Sequence, residues 1–308
     1  MAKKALILLN MGGPNNLDEV ELFLKNMFDD KNILPVPWIM RKFIAKMIIS
    51  SRLEEAKNNY RSIGSKSPLP KLTQNLVKKL QAKVDSDTQV VAIMRYTPPF
   101  AKDVLPHLQL DGVEQLYLFP MYPQYSSTTT KSSVEDIYEN LIPLQYKPEI
   151  FIIDHYYEHS GYLDAVAKQI QKKLDKYKGY DVIFSAHGLP QKIVDRGDPY
   201  QEQTQKCVEY ISRRLKHHNK IHLAYQSKVG KGKWLEPSLD QKLQTIENKN
   251  VIIYPISFTI DNSESVFELK VEYKQIAKEV GIENYVVCNC LNSKDDFVDF
   301  IFEMYQQM

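Results

Sequence analysis

Cysteine is nearly missing from this chain, with three in 308 residues. That excludes a disulfide scaffold and suits a reducing cytoplasm. Long hydrophobic runs are missing too: no stretch reaches the roughly 18 uncharged apolar residues that a membrane span needs. The apolar run at 5–9 is too short for a signal peptide and enters Met11-Gly12-Gly13-Pro14 with no small-residue cleavage site. A charge excess of one sign is lacking, the net being +2, which argues against a disordered chain or a nucleic-acid binder. Glycine is scarce, at 11, and the glycine-rich nucleotide signatures fail. Met11-Gly12-Gly13-Pro14 lacks the third glycine of a dinucleotide fingerprint, and Gly230-Lys231-Gly232-Lys233 lacks the Walker spacing and its Ser/Thr. No Gly-x-Ser-x-Gly elbow surrounds Gly188 either.

What is present is ordinary for a globular protein: 43% hydrophobic and 25% charged residues, with 19 tyrosines. Short apolar runs at 5–11, 89–95, 115–121, 149–154, 181–185, 220–226, 251–257 and 285–290 read as buried strands. Amphipathic stretches at 17–28, 72–83, 163–176 and 201–216 lie between them. Continuous apolar strands separated by helices signal βαβ units and parallel sheets. One sheet, one barrel or two four-stranded sheets would satisfy the pattern. Two sheets are favoured, in domains 1–145 and 146–308, divided near Gln145–Pro148, with the last helix packed back on the first domain. No sequence repeat is visible.

Ligands in such folds sit beyond the carboxyl ends of the strands. Those ends carry Met11, Arg95-Tyr96, Met121-Tyr122 and Ser185-Ala186-His187-Gly188. His187 closes an apolar strand, where an imidazole can bind a metal, accept a proton, or simply bond its own loop. Asp261, Glu264, Glu268 and Glu272 follow another strand, the glutamates four apart on one helical face. Such a row is either a solvated face or a path of hard oxygen donors for a divalent cation or protons. Segment 33–66 holds seven basic residues and two acidic ones. Its Ile39, Met40, Phe43, Ile44, Met47 and Ile48 share a helical face beside Arg41, Lys42 and Lys46. That suits an interfacial helix, the lip of an apolar pocket, or a helix packed on its own core. Cys288-Asn289-Cys290 lacks further nearby ligands and reads as structural.

Phe184-Ser185-Ala186-His187-Gly188-Leu189-Pro190, with Gly197-Asp198-Pro199-Tyr200, resembles the signature of ferrochelatases, the enzymes that insert ferrous iron into porphyrin. Matching blocks run through nearly the whole chain: Leu9 to Pro14, Ile63-Gly64 with Ser67-Pro68, Met94-Arg95-Tyr96, and Pro120 to Thr130. Tyr225 to Gly230 with Trp234-Leu235, and Ser257-Phe258 through Glu264, complete the set. The resemblance implies two Rossmann-like domains, each a four-stranded parallel sheet flanked by helices, with the active-site cleft between them. It implies insertion of Fe2+ into protoporphyrin IX with loss of two protons, the terminal step of haem biosynthesis.

By the same resemblance, His187 and Glu264 match the catalytic pair, and His187, Glu264, Glu268 and Glu272 the metal-handling row. Met11, Tyr60, Ser67, Arg95, Tyr122 and Trp234 match porphyrin-binding positions, with Arg95 suited to a propionate. Met11, where coproporphyrin-type members commonly carry tyrosine, leans toward protoporphyrin. Two departures stand out. Asn262 occupies the position of a second histidine, and Ser65-Lys66 replaces the usual glycines. No cofactor beyond the substrate iron is expected, and no [2Fe–2S] cluster. A monomer is expected, cytoplasmic and peripheral to the inner membrane through 33–50, with no nucleic-acid partner. A metal or haem carrier, or a chelatase for another tetrapyrrole, would show similar residues.

Overall fold

A computed structural model describes residues 3–228 and 232–308. Val229, Gly230 and Lys231, part of the basic glycine-lysine run, lie outside the described residues.

The first sheet is built from β1 (Lys3–Asn10), β2 (Thr88–Met94), β3 (Val113–Pro120) and β4 (Glu149–Ile152), in the order β2-β1-β3-β4. All pairings are parallel. β1 is central, and Ala5–Leu9 is at most 1% exposed. A strand covered on both faces has no polar side to alternate with, which is why its sequence is a continuous apolar run. On one face Ala5, Ile7 and Leu9 pack with Leu105 and Leu108 of the helix Ala101–Leu110 and Ile137 and Leu141 of Ser132–Leu144. Residues 298–308 also belong to this unit: Phe300 meets Phe119 edge-on at 6.2 Å, and Tyr305 meets Tyr117 at 4.9 Å and Thr88 Oγ1 at 2.9 Å.

The second sheet is built from β5 (Asp181–His187), β6 (Ile221–Gln226), β7 (Asn250–Pro255) and β8 (Asn284–Val287), in the order β6-β5-β7-β8, again all parallel. The two sheets therefore share one winding, second-first-third-fourth. The repeat lies in the topology.

The compact units are residues 3–122, 126–154 and 298–308, and residues 123–125 with those described in 155–297. Gln145–Pro148, where the sequence suggests a boundary, lies inside the first unit. Gln145 ends its helix at φ 50°, the left-handed stop common at helix C-termini. The chain then re-enters the same sheet as β4, paired with β3 from Gln115↔Glu149 to Leu118↔Ile152. A helix stop and a domain boundary look alike in sequence. β8 also ends sooner than expected, at Val287, so Cys288 and Cys290 follow the strand, both buried.

Candidate active site

In the second unit, β5 delivers His187 at its carboxyl end and the backbone there is held from two sides. The His187 amide donates to Ser257 Oγ at 3.1 Å, and the Tyr200 hydroxyl donates to the His187 carbonyl at 2.8 Å. Tyr200 Oη also lies 2.6 Å from Ser257 Oγ, closing the triangle. Gly188 follows because nothing larger fits: its amide donates to the Gln226 carbonyl at 2.8 Å, and a Cβ would stand 2.7 Å from that oxygen. Trp234 is partly buried and bridges Pro190 in the same loop region.

The acidic row begins after β7. Asn262 Oδ1 accepts the amides of Glu264 at 2.8 Å and Ser265 at 3.1 Å, capping the helical segment that carries the glutamates. Asn262, standing where the family has histidine, is thus a cap. The segment Glu264–Glu272 is wound as a π-helix, rarer than the α-helix the spacing suggests and frequent at functional sites. Asp261 points elsewhere: it is 5% exposed and accepts from Ser265 Oγ, Asn292 Nδ2 and the Cys290 amide. It belongs to the scaffold.

Three of the four expected metal-row residues meet. His187 Nδ1 lies 2.7 Å from Glu264 Oε2. Ser227 Oγ donates within reach of both Glu264 Oε2 at 3.0 Å and Glu268 Oε2 at 2.5 Å, and Gln226 Nε2 donates to Glu268 at 3.2 Å. Glu272 is exposed at the far end of the segment. Among the described residues, no group of three or more His, Cys, Asp or Glu side chains is arranged as a metal cage.

Electrostatics divide the roles. Burial alone would lower the His187 pKa, but the charges of Glu264 and Glu268 and the Glu264 hydrogen bond hold it above the ordinary imidazole value. Burial pushes Glu264 up, yet His187 and the Ser227 hydrogen bond win and keep its carboxyl below the usual range. Glu268 has no ion pair with a Lys or Arg among the described residues, and the His187 charge lowers it only in part. Burial and the Glu264 charge raise it to about 8. An ionised Glu264 accepting from Nδ1–H leaves the His187 lone pair on Nε2.

In the first unit, Met11, Ser67, Arg95 and Tyr122 gather where β1, β2 and β3 end. The loop after β1 is tight: Gly12 has φ 88°, and a Cβ on it would stand 2.3 Å from Thr97 Oγ1. Ser67 is 5% exposed and its amide donates to the Pro14 carbonyl at 2.7 Å. Met11 packs, partly buried, against the apolar cluster that contains Tyr60. Tyr60 and Tyr122 are themselves buried, at 6% and 8% exposure. Arg95 departs from expectation. Its Nε donates to Ser132 Oγ at 3.0 Å, and its two terminal nitrogens lie 3.3 Å from Asp136 and 3.4 Å from the buried Asp30. It neutralises this chain's own carboxylates, beside a cavity of about 320 Å³ also lined by Asp29, Lys102 and Asn140. Ser65, at φ 63°, occupies a left-handed conformation, which explains why glycine suits that position.

Neither residue type nor spacing singles out Ser227, Gln226, Tyr200 and Ser257. The available signal is position: all four lie inside resemblance blocks, with Gln226 closing β6 and Ser227 following it.

The helix Trp38–Ser62 carries the apolar and basic lip. Ile48, Ile49 and Leu53 pack inward on the cluster around Phe23 and Tyr60. Trp38, Ile39, Met40, Phe43 and Met47 are 55–71% exposed. Of the expected stripe, Ile39, Met40, Phe43 and Met47 are therefore exposed, and only Ile44 and Ile48 are partly buried. Lys42 Nζ lies 5.1 Å over the Trp38 ring, and Arg41 Nε lies 3.6 Å from Asp29. No helix among the described residues is long and apolar enough to cross a membrane.

The Ferrochelatase family model matches residues 3–308. The ferrochelatase of a Nitratiruptor species is 48% identical over 309 residues, covering 99% of this chain and 100% of that protein. The ferrochelatase of Sulfurimonas denitrificans is 47% identical over 316 residues, covering both chains in full. Among solved structures, SirB from Bacillus subtilis with Fe3+ superposes with a TM-score of 0.58 over 99% of this chain and 95% of that one, at 9% identity. At that identity the likeness speaks for the fold alone. The full-length sequence match and the blocks at the strand ends agree: the chain belongs to the ferrochelatase family, enzymes that insert iron into porphyrin.

Proposed function

We propose that this chain inserts Fe2+ into protoporphyrin IX to give protohaem, the terminal step of haem biosynthesis, with His187 and Glu264 at the reacting centre. The observation that carries the reading is the 2.7 Å contact between His187 Nδ1, at the carboxyl end of β5, and Glu264 Oε2, which opens the π-helical segment after the neighbouring β7. Iron insertion releases two pyrrole protons and strips water from a hard cation. A neutral His187, oriented by Glu264 and with its pKa held up by that carboxylate, takes a pyrrole proton on Nε2. The glutamate row from buried Glu264 to exposed Glu272 offers oxygen donors to the incoming ion, or a route for the second proton.

Met11, Tyr60, Tyr122 and Trp234 supply the apolar and aromatic grip, and Ser67 a hydroxyl, through which binding energy bends the macrocycle toward the metal. Arg95 enters this reading as the anchor of the β2 end, with its remaining N–H donors available to a propionate. Met11 favours protoporphyrin over coproporphyrin. The exposed face of Trp38, Ile39, Met40, Phe43 and Met47 rests on the membrane surface that holds the poorly soluble porphyrin.

The deciding experiment follows haem formation from Fe2+ with protoporphyrin IX and, in parallel, coproporphyrin III. Many turnovers per enzyme, faster with protoporphyrin, are expected. Stoichiometric binding without turnover would instead make the protein a carrier, and a preference for coproporphyrin would overturn the substrate assignment.

A further inference from the structure

The geometry points to Ser227 as the residue that positions Glu264 against His187. Its hydroxyl stands between two carboxylates four residues apart, 3.0 Å from Glu264 Oε2 and 2.5 Å from Glu268 Oε2. The Glu264 oxygen it meets is the same one that meets His187 Nδ1. That oxygen is gripped from β5 by the imidazole and from the end of β6 by the hydroxyl. With both in place, one carboxylate oxygen is held by two partners from two strand ends.

The backbone supports the same conclusion independently. Ser227 has φ 65°, a left-handed conformation that is strained for a non-glycine residue. Such a residue persists where its surroundings over-determine it, and here they do. Gln226 next to it is 1% exposed, its side-chain oxygen accepts from Ser185 Oγ at 2.7 Å, and its carbonyl accepts the Gly188 amide. With its oxygen committed to Ser185, the Gln226 amide nitrogen faces Glu268 at 3.2 Å. The end of β6 therefore presents two donors to the glutamate segment, and the turn that aims the second is strained.

This inference rests on the assignment of His187 and Glu264 as the reacting pair, and the test separates the two. Ser227→Gly removes the hydroxyl and relaxes the backbone. Ser227→Ala removes the hydroxyl and keeps the strain. Each is assayed with Fe2+ and protoporphyrin beside His187→Ala, with thermal unfolding and porphyrin fluorescence quenching. Ser227→Gly is expected to unfold no earlier than wild type and to bind porphyrin equally well, while kcat falls about tenfold or more in both Ser227 variants. Wild-type kcat in both, with His187→Ala inactive, overturns the role of Ser227 and leaves the pair standing. Normal turnover by His187→Ala removes the reacting pair itself, and the inference with it.

Discussion

His187 Nδ1 and Glu264 Oε2 stand 2.7 Å apart although they are 77 positions apart in the chain. They meet because β5 and β7 are parallel neighbours whose carboxyl ends lie on one rim. That rim is where open parallel sheets place their ligands. In the proposed reaction the pair sets the proton chemistry: the carboxylate pKa is lowered, the imidazole holds its proton more tightly, and the ring is aimed by the contact.

Glu264→Gln keeps the shape of the side chain but removes its charge, so turnover should fall by a factor on the order of 10²–10⁴. Glu272→Gln, at the exposed end of the row, should leave kcat near wild type and raise the apparent KM for iron. Steady-state rates at varied Fe2+ check both. Equal, mild effects would make the row a solvated face.

Arg95→Met should destabilise the first unit by about 3–5 kcal/mol, because it strands a buried carboxylate. Asp30 has a side chain 1% exposed, pairs with Arg95 and accepts from Tyr96 Oη at 2.9 Å. Urea unfolding measures the loss. A variant as stable as wild type would return Arg95 to a purely substrate-binding role.

A second cluster gives a pH dependence far from the chemistry. The Asp181 carboxylate, 1% exposed, meets His222 Nε2 at 2.8 Å, Asn219 at 2.7 Å and Asn248 at 3.0 Å. Burial would raise its pKa, but these hydrogen bonds and the Lys220 amide hold it below the ordinary 3.8. A depressed folded-state value contributes stability above the unfolded pKa, and that contribution is lost as pH falls through the folded value. Asp181→Asn should therefore lower Tm clearly at pH 7, and the gap to wild type should narrow in acid. A gap that does not change with pH contradicts the charge-based account.

The exposed lip should bind anionic vesicles reversibly. Arg41 is engaged by Asp29 and the Val36 carbonyl, which leaves Lys42 and Lys46 as the freer charges. Two such charges contribute about 2 kcal/mol near an anionic surface, screened as salt rises. Cosedimentation should fall with salt, and should fall again in Ile39→Ser/Phe43→Ser and in Lys42→Gln/Lys46→Gln. No pelleting at low salt leaves the segment a pocket lip.

Strands and helices are legible because burial on both faces writes a local pattern: β1 and β5 read as apolar runs and fold as central strands. The residues at strand ends are legible for the same reason, since His187 and Arg95 break such runs. Partnership is not legible. Arg95 reads as free for a propionate because Asp30 and Asp136 reach it from elements 65 and 41 positions away. Ser227 is an ordinary serine until a left-handed turn brings its hydroxyl to Glu264. The π-helical winding and the shared strand order are likewise products of tertiary packing.

The most direct measurement is iron insertion by His187→Ala with porphyrin binding followed in the same samples. Fluorescence quenching should show protoporphyrin held as tightly as by wild type, because the proposed grip, in Met11, Tyr60, Ser67, Tyr122 and Trp234, does not include His187. Haem formation from Fe2+ should be lost, because the proton acceptor oriented by Glu264 is gone. Near-normal turnover by His187→Ala would contradict the account at its centre.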